Sequence, residues 1–327
     1  MTLAIAIANL MAPSTEIIGR SPNLLATIER AKKFAKAREP VFISGETGVG
    51  KEAIAGIIHR LSPRSGGPYQ VVNCAALPRD TMESALFGHT KGAFTGADRT
   101  VKGVFELAHQ GTLFLDEVAE LSLRAQGMLL RVVENGEVTP IGSENSVAVS
   151  TRLVVATHKD LGALVKQKKF REDLRFRLEV LKIPVPPLRE RRGDIPLLIQ
   201  HFLDKLNQEY GTTFRKPAKE ELSLLNSYHF PGNVRELHHL VTQAYFAMEE
   251  GDTALSLEPQ QISNILHKRS VSYHDMQRAY FSDALYQCRG KLYGPGGVAE
   301  FTSLNVNTLK SKLKKLRVDR LGWLRAM

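Results

Sequence analysis

Hydrophobic and polar positions in the first half of the chain alternate between two rhythms. Short apolar runs at Val41-Phe42-Ile43, Tyr69 to Val72, Thr112 to Leu115, Leu153 to Ala156 and Val180 to Pro184 read as strands. Elsewhere the spacing lengthens. Ile54, Ile57, Ile58 and Leu61 recur at i, i+3, i+4 and i+7, the stripe of an amphipathic helix. Such alternation over residues 14 to about 187 predicts an α/β domain with a largely parallel sheet covered by helices. Pro184, Pro186 and Pro187 punctuate its end. From Leu188 to about Glu250 the pattern is helical, with a break at Pro231-Gly232. Residues 251–272 are more polar and read as a linker, and residues 273–327 read as short helices.

Composition narrows the picture modestly. The 327 residues leave room for two or three domains, and a hydrophobic fraction of 43% argues against bulk disorder. Lys and Arg number 44 against 34 acidic residues, a net charge of +10 that favours a polyanionic partner such as nucleic acid. The two cysteines, Cys74 and Cys288, form neither a CxxC pair nor a zinc spacing, so a reducing, cytoplasmic setting is expected. No apolar run approaches the ~20 residues of a membrane helix, so no membrane insertion is expected. The apolar stretch Met1 to Ala12 lacks a basic flank and reads as a frayed or docking N-terminus, not a signal peptide.

Chemistry enters at the end of the first predicted strand. Gly45-Glu46-Thr47-Gly48-Val49-Gly50-Lys51 fits GxxxxGK between a strand and a helix. Backbone N–H groups of such a turn cradle phosphates, and Lys51 would reach the β and γ phosphates of ATP. Glu52 stands where Ser or Thr usually holds Mg²⁺, and a carboxylate there can still hold the ion through water. Gly111 to Glu117, GTLFLDE, adds an apolar strand that ends in two carboxylates. Asp116 would bind Mg²⁺, largely through water, and Glu117 would polarise the attacking water. Arg171 and Arg177 are candidates to neutralise transition-state charge; a solvated helix face paired with Glu172 and Asp173 is the alternative. Gly92, Ala93, Phe94, Thr95, Gly96 and Ala97 spell GAFTGA, small residues around one aromatic and one hydroxyl. That composition suits a loop that presents a Phe-Thr tip, although an ordinary glycine-rich surface loop reads the same in isolation.

These motifs, in this order, resemble the central domain of the bacterial enhancer-binding proteins, the NtrC-type AAA+ activators of sigma-54 RNA polymerase. The resemblance rests on GETGVGKE (45–52), NCAAL (73–77), LFGHTKGAFTGA (86–97), GTLFLDE (111–117), LLRVVENGEV (129–138), FREDLRFRLEV (170–180), PPLRERRGDIPLL (186–198) and FPGNVREL (230–237). It covers about residues 17 to 250, and GAFTGA is its specific element. It implies an α/β AAA+ ATPase subdomain at 17–187 and a helical lid at 188–250. It also implies a ring, usually a hexamer, whose GAFTGA loops contact sigma-54. By matching motif, Asn73 looks like the switch that senses the γ-phosphate by hydrogen bonding to Glu117. Arg171 and Arg177 look like arginine fingers toward the neighbouring subunit, and Arg235 like the lid sensor in cis.

Two departures carry expectations. His158 follows Ala-Thr where the family usually has Asn. An imidazole differs from an amide in shape and pKa, so slower or pH-sensitive hydrolysis is expected. Ala85 and Thr90 replace acidic residues often seen beside the loop, and altered loop docking is expected.

Residues 273–327 resemble the Fis-type helix-turn-helix that ends these activators. Val298 to Phe301 would lie on its first helix and Asn307 to Lys315 on its recognition helix, with Leu309, Leu313 and Leu316 as the buried stripe. Asn307, Thr308, Lys310, Ser311, Lys314 and Lys315 remain for upstream enhancer DNA. A merely basic amphipathic helix is the alternative. Ser303 stands in the turn where Gly is usual, which predicts modest DNA affinity that gains from oligomerisation.

Only about 16 residues precede the ATPase region, too few for the family's usual sensory domain of ~100 residues or more. Control in trans, through an inhibitory or co-activating partner or through expression level, is therefore expected; a longer natural chain is the alternative. Two other readings stand beside the ATP-driven activator. One is a DNA-binding regulator or hetero-oligomer subunit with impaired ATPase activity, which His158 favours slightly. The other is an AAA+ remodelling enzyme of another kind, which has no need of GAFTGA.

Overall fold

The structure is a computed structural model. It describes residues 17–218, 221–222, 225–226, 228–248, 253–255, 285, 288, 291–294, 297–302 and 306–315. The expected N-terminal segment 1–16, most of the 251–272 linker, Ser303, Leu316 and much of 273–327 lie outside the described residues.

The strands are β1 (Val41–Ser44), β2 (Tyr69–Asn73), β3 (Gly88–His89), β4 (Val101–Lys102), β5 (Thr112–Asp116), β6 (Glu137–Val138), β7 (Val147–Ala148), β8 (Arg152–Thr157) and β9 (Leu181–Pro184). Five of them form one parallel sheet in the order β2-β5-β8-β1-β9. All five coincide with the apolar runs read as strands. The remaining four pair into two small antiparallel hairpins, β3-β4 and β6-β7, too short to leave a periodic signature.

The helices of this part are α1 (Pro22–Ala35), α2 (Lys51–Arg60), α3 (Arg79–Phe87), α4 (Val104–Leu107), α5 (Leu123–Asn135), α6 (Leu161–Lys166), α7 (Glu172–Leu178), α8 (Ile195–Tyr210) and α9 (Asn233–Phe246). Successive strand residues point to opposite faces, and both faces are covered. Leu113, Leu115, Leu153 and Val155 pack with Leu86, Phe105, Leu129 and Leu174 on one side. Phe114, Val154 and Ala156 pack with Ala31, Ile54 and Ile58 on the other. This double burial explains why β5 and β8 read as continuous apolar runs. Beyond the sheet, α8 and α9 pack together. The break at Pro231-Gly232 is the turn that launches α9, and Phe230 and Asn233 take positive φ on either side of it.

Residues 258–327 form a separate compact unit. Its described helices are α10 (Val298–Phe301) and α11 (Val306–Lys315). Leu309 and Leu313 are buried against Leu285 and Val298, which accounts for two of the three residues in the expected stripe.

Phe114 is fully buried at the centre of the sheet. Its replacement by alanine is expected to cost about 3–5 kcal/mol through lost burial and a residual cavity. Leu123→Ala, at a half-exposed position, should cost far less. Urea unfolding of both variants followed by circular dichroism checks the contrast.

Candidate active site

Parallel pairing sets the carboxyl ends of β1, β8 and β5 side by side, and each end delivers functional groups to one edge. The loop Gly45 to Gly50 leaves β1 and runs into α2. Gly48 and Gly50 hold φ of 78° and 101°, a region that a side chain enters only with strain. Lys51 opens α2 and is only 7% exposed. Its Nζ donates to Gly45 O at 3.1 Å, to Glu46 O at 3.4 Å and to Glu117 Oε1 at 3.4 Å. The two halves of the predicted ATP site therefore meet.

Glu117 follows β5 in a left-handed conformation, φ 51°. A non-glycine residue persists in that region only when its surroundings hold it there. Its Oε2 accepts from Thr157 Oγ1 at 3.2 Å, from His158 Nδ1 at 2.8 Å and from His158 N at 3.4 Å. Burial pushes the Glu117 carboxyl up, but the His158 hydrogen bond and the Lys51 charge carry it below the usual carboxylate range. His158, the departure noted in the sequence, is thus a donor that braces the general-base candidate.

Asp116 accepts from the Glu117 N–H at 3.0 Å. Burial holds its carboxyl above the ordinary range, and Lys51 opposes that rise. A half-buried carboxylate beside a second carboxylate is a site that a hard cation relieves. Among the described residues no cluster of three ligating side chains could hold a metal alone. The half-buried Asp116 carboxylate fits Mg²⁺ that arrives with nucleotide phosphates: Asp116 would hold it, and it would neutralise phosphate charge.

Other predicted residues fall on several surfaces. Glu46 turns its side chain to Arg189, and the Thr47 side chain is exposed. Arg235 lies on the first turn of α9, against Gly48, and its charge lowers the Asp116 pKa. Asn73 caps the turn after β2 by accepting from Ala75 N at 2.9 Å; the donors to Glu117 are Lys51, Thr157 and His158. Arg171 pairs with Asp173 at 2.7 Å, and Arg177 with Glu134 at 3.1 Å. The Arg171 pairing matches the solvated-face alternative within this single chain.

GAFTGA sits at the tip of the β3-β4 hairpin. Gly92 N donates to Ala97 O at 2.8 Å and Ala97 N to Phe94 O at 3.0 Å, so the loop carries its own turns. Ala97 is buried, while Phe94 is 45% exposed and lies 4.9 Å from the His89 ring. The connection between β6 and β7 supports it from beside: Thr90 N donates to Ile141 O at 3.0 Å, and Ile141 N to Gly88 O at 2.9 Å. Thr90, one of the two residues of the second departure, takes part in this docking through its backbone and through its hydroxyl, which donates to Ile141 O at 3.3 Å.

Sequence reasoning missed an apolar pocket of about 190 Å³ beside the loop, lined among others by Ile17, Ile18, Val49, Leu198 and Phe202. Its walls suit the flat face of a nucleobase. Only the pair Ile17-Ile18 ahead of α1 hints at it, because the other walls come from distant segments.

In the second unit, Lys310 and Ser311 are exposed on α11, and Lys310 lies over the Tyr293 ring at 5.5 Å. The side chains of Asn307, Thr308, Lys314 and Lys315 lie outside the described residues.

Lys51 and Glu117 occupy separable roles. Lys51→Ala should abolish nucleotide binding. Glu117→Gln should bind ATP within a few-fold of the parent yet lose about 10²- to 10⁴-fold in turnover. His158→Ala should lower kcat about tenfold or more at nearly constant KM, with His158→Asn intermediate, because one hydrogen bond to a charged group is lost. Fluorescent-nucleotide titration and a phosphate-release assay separate these outcomes.

The Sigma-54 interaction domain model matches residues 17–184, and the AAA+ ATPase lid domain model matches residues 189–275. The chain is 38% identical over 322 residues to the response regulator protein PilR of Pseudomonas aeruginosa, covering 93% of this chain and 70% of PilR. It is 46% identical over 257 residues to the anaerobic nitric oxide reductase transcription regulator NorR of Aeromonas salmonicida, covering 76% of this chain and 50% of NorR. It spans about half the length of several other curated relatives it matches. The crystal structure of NtrX from Brucella abortus in complex with ATP superposes with a TM-score of 0.70 at 29% identity, covering 95% of this chain and 72% of that one. Similarity of this extent runs through both the sheet domain and the helices that follow it, and the chain belongs to the family of AAA+ activators of transcription that carry the Sigma-54 interaction domain.

Proposed function

We propose that this protein is a sigma-54-dependent transcriptional activator that hydrolyses ATP to remodel a closed RNA polymerase–promoter complex into an open one. One observation supports it above the others: Lys51 and Glu117 meet at the sheet edge of the same domain that presents Phe94 at a loop tip. An engine and a contact point share one rigid scaffold.

On this reading ATP with Mg²⁺ binds on the loop Gly45 to Lys51, with its base in the Ile17-Ile18 pocket. Glu117 draws a proton from the attacking water. Asn73 exchanges its Ala75 contact for Glu117 when the γ-phosphate is present, and so reports nucleotide state toward the GAFTGA hairpin. Arg235 meets phosphate from the lid. Arg171 and Arg177 leave their acidic partners for the nucleotide of the neighbouring subunit in a ring, most simply a hexamer. Their pairing with exposed carboxylates is weak enough to exchange. Phe94 and Thr95 engage sigma-54.

Residues 273–327 act as a helix-turn-helix on upstream enhancer DNA. The basic α11 and its buried Leu309-Leu313 stripe support that assignment. Base and phosphate contacts fall to Asn307, Thr308, Lys310, Ser311, Lys314 and Lys315. The protein works in the cytoplasm, where its polymerase partner is. Among the described residues no helix is long and apolar enough to cross a membrane.

Promoter opening tests this directly. Purified protein, sigma-54 holoenzyme, ATP and a sigma-54 promoter on linear DNA should give permanganate-reactive open complexes. Thr95→Ala and Glu117→Ala should both give none, the first with ATP hydrolysis intact. Hydrolysis without opening by the parent on any sigma-54 promoter would overturn the activator reading.

A further inference from the structure

Three consecutive carbonyls of the phosphate-binding loop are occupied by donors from the helical segment beyond the sheet. Asn233 Nδ2 donates to Thr47 O at 3.0 Å, Val234 N to Gly48 O at 3.0 Å, and Arg191 Nη2 to Val49 O at 2.7 Å. In a trans peptide the C=O of one residue and the N–H of the next point in opposite directions. Holding carbonyls 47, 48 and 49 on the lid side therefore aims the N–H groups of Gly48, Val49 and Gly50 the other way, as a phosphate cradle requires.

Asn233 is the hub of this arrangement. It is fully buried, and its amide uses both ends. Oδ1 accepts from Leu188 N at 2.8 Å, while Nδ2 also reaches Glu46 Oε2 at 3.1 Å. Glu46 is held in turn by Arg189 through two bonds of 2.8 and 2.6 Å. Asn233 has φ 53°, a conformation that asparagine tolerates better than most residues. Its neighbour Gly232 places its carbonyl against Gly48 so closely that a Cβ at Gly48 would collide with it. Two backbones touch here, and side chains lock the contact.

We infer that Asn233 is a positioning residue that sets the phosphate-binding conformation of residues 47–50 by tying them to the lid. Lid docking and nucleotide binding are then one coupled equilibrium. Movement of the lid during the ATP cycle pulls directly on the loop, through carbonyls 47 to 49. By linkage, ATP must strengthen these contacts as much as they strengthen ATP binding. The inference rests on the nucleotide-binding reading of the loop, and not on sigma-54 contact or DNA binding.

The test uses the full chain and a fluorescent ATP analogue. Asn233→Gly keeps the positive φ and removes only the side chain. It should retain the parent's circular dichroism spectrum, bind the analogue about tenfold more weakly, and show a smaller ATP-induced rise in Tm. Asn233→Ala, which adds backbone strain, should be weaker still and less stable. Equal Kd for the folded Gly variant and the parent would overturn the proposal and leave the ATPase reading standing. No binding by the parent would overturn both. Hydrogen exchange on the unaltered protein gives a measurement independent of variant folding: ATP should slow exchange of the Val234 amide, and an unchanged rate would also overturn the coupling.

Discussion

Everything at the active edge depends on β8 lying between β1 and β5 in a parallel sheet buried on both faces. Parallel strands end on the same edge, so Lys51, Glu117 and His158 arrive together although 107 positions of sequence separate the first from the last. Half-burial of the carboxylates follows from the same packing. It raises the Asp116 pKa and draws Glu117 into a ring of donors, with Lys51 as the opposing charge. Electrostatics there are strong because the apolar layers on both faces limit water around the strand ends.

Two loops extend this edge in different directions. The phosphate-binding loop takes its shape from glycines that adopt left-handed φ and from the donors of Asn233, Val234 and Arg191. GAFTGA takes its shape from a two-residue strand pair at its base and from internal turns. At that base, a Cβ on Gly88 or Gly103 would collide with the backbone opposite. A loop that pushes on a partner needs a stiff base and a free tip. Buried Ala97 and exposed Phe94 divide those tasks within four residues.

His158 shows how a departure from a pattern is read correctly only in place. As a residue type it differs from the usual amide. In the structure its Nδ1 makes the shortest of the bonds to Glu117, so the position still supplies a donor to the base. The imidazole is bulkier than an amide and belongs to a titratable group, and those differences remain.

The sequence alone determined the parallel α/β architecture, because strands buried on both faces must be continuously apolar, as Thr112 to Leu115 and Leu153 to Ala156 are. It also determined the motifs whose chemistry is local: the glycines and lysine of one turn, the carboxylate pair at one strand end, and the six residues of GAFTGA. The hairpins under GAFTGA were not legible, since two-residue strands have no period. The tie from Asn233 to Thr47 and the pocket around Ile17 and Phe202 were likewise decided only by tertiary structure. Each joins residues more than 180 positions apart, and composition or spacing carries no record of which buried amide meets which carbonyl. Tertiary packing also chose the partners of Arg171, Arg177 and Asn73, because a charged or amide side chain takes whichever donor or acceptor the fold brings within about 3 Å.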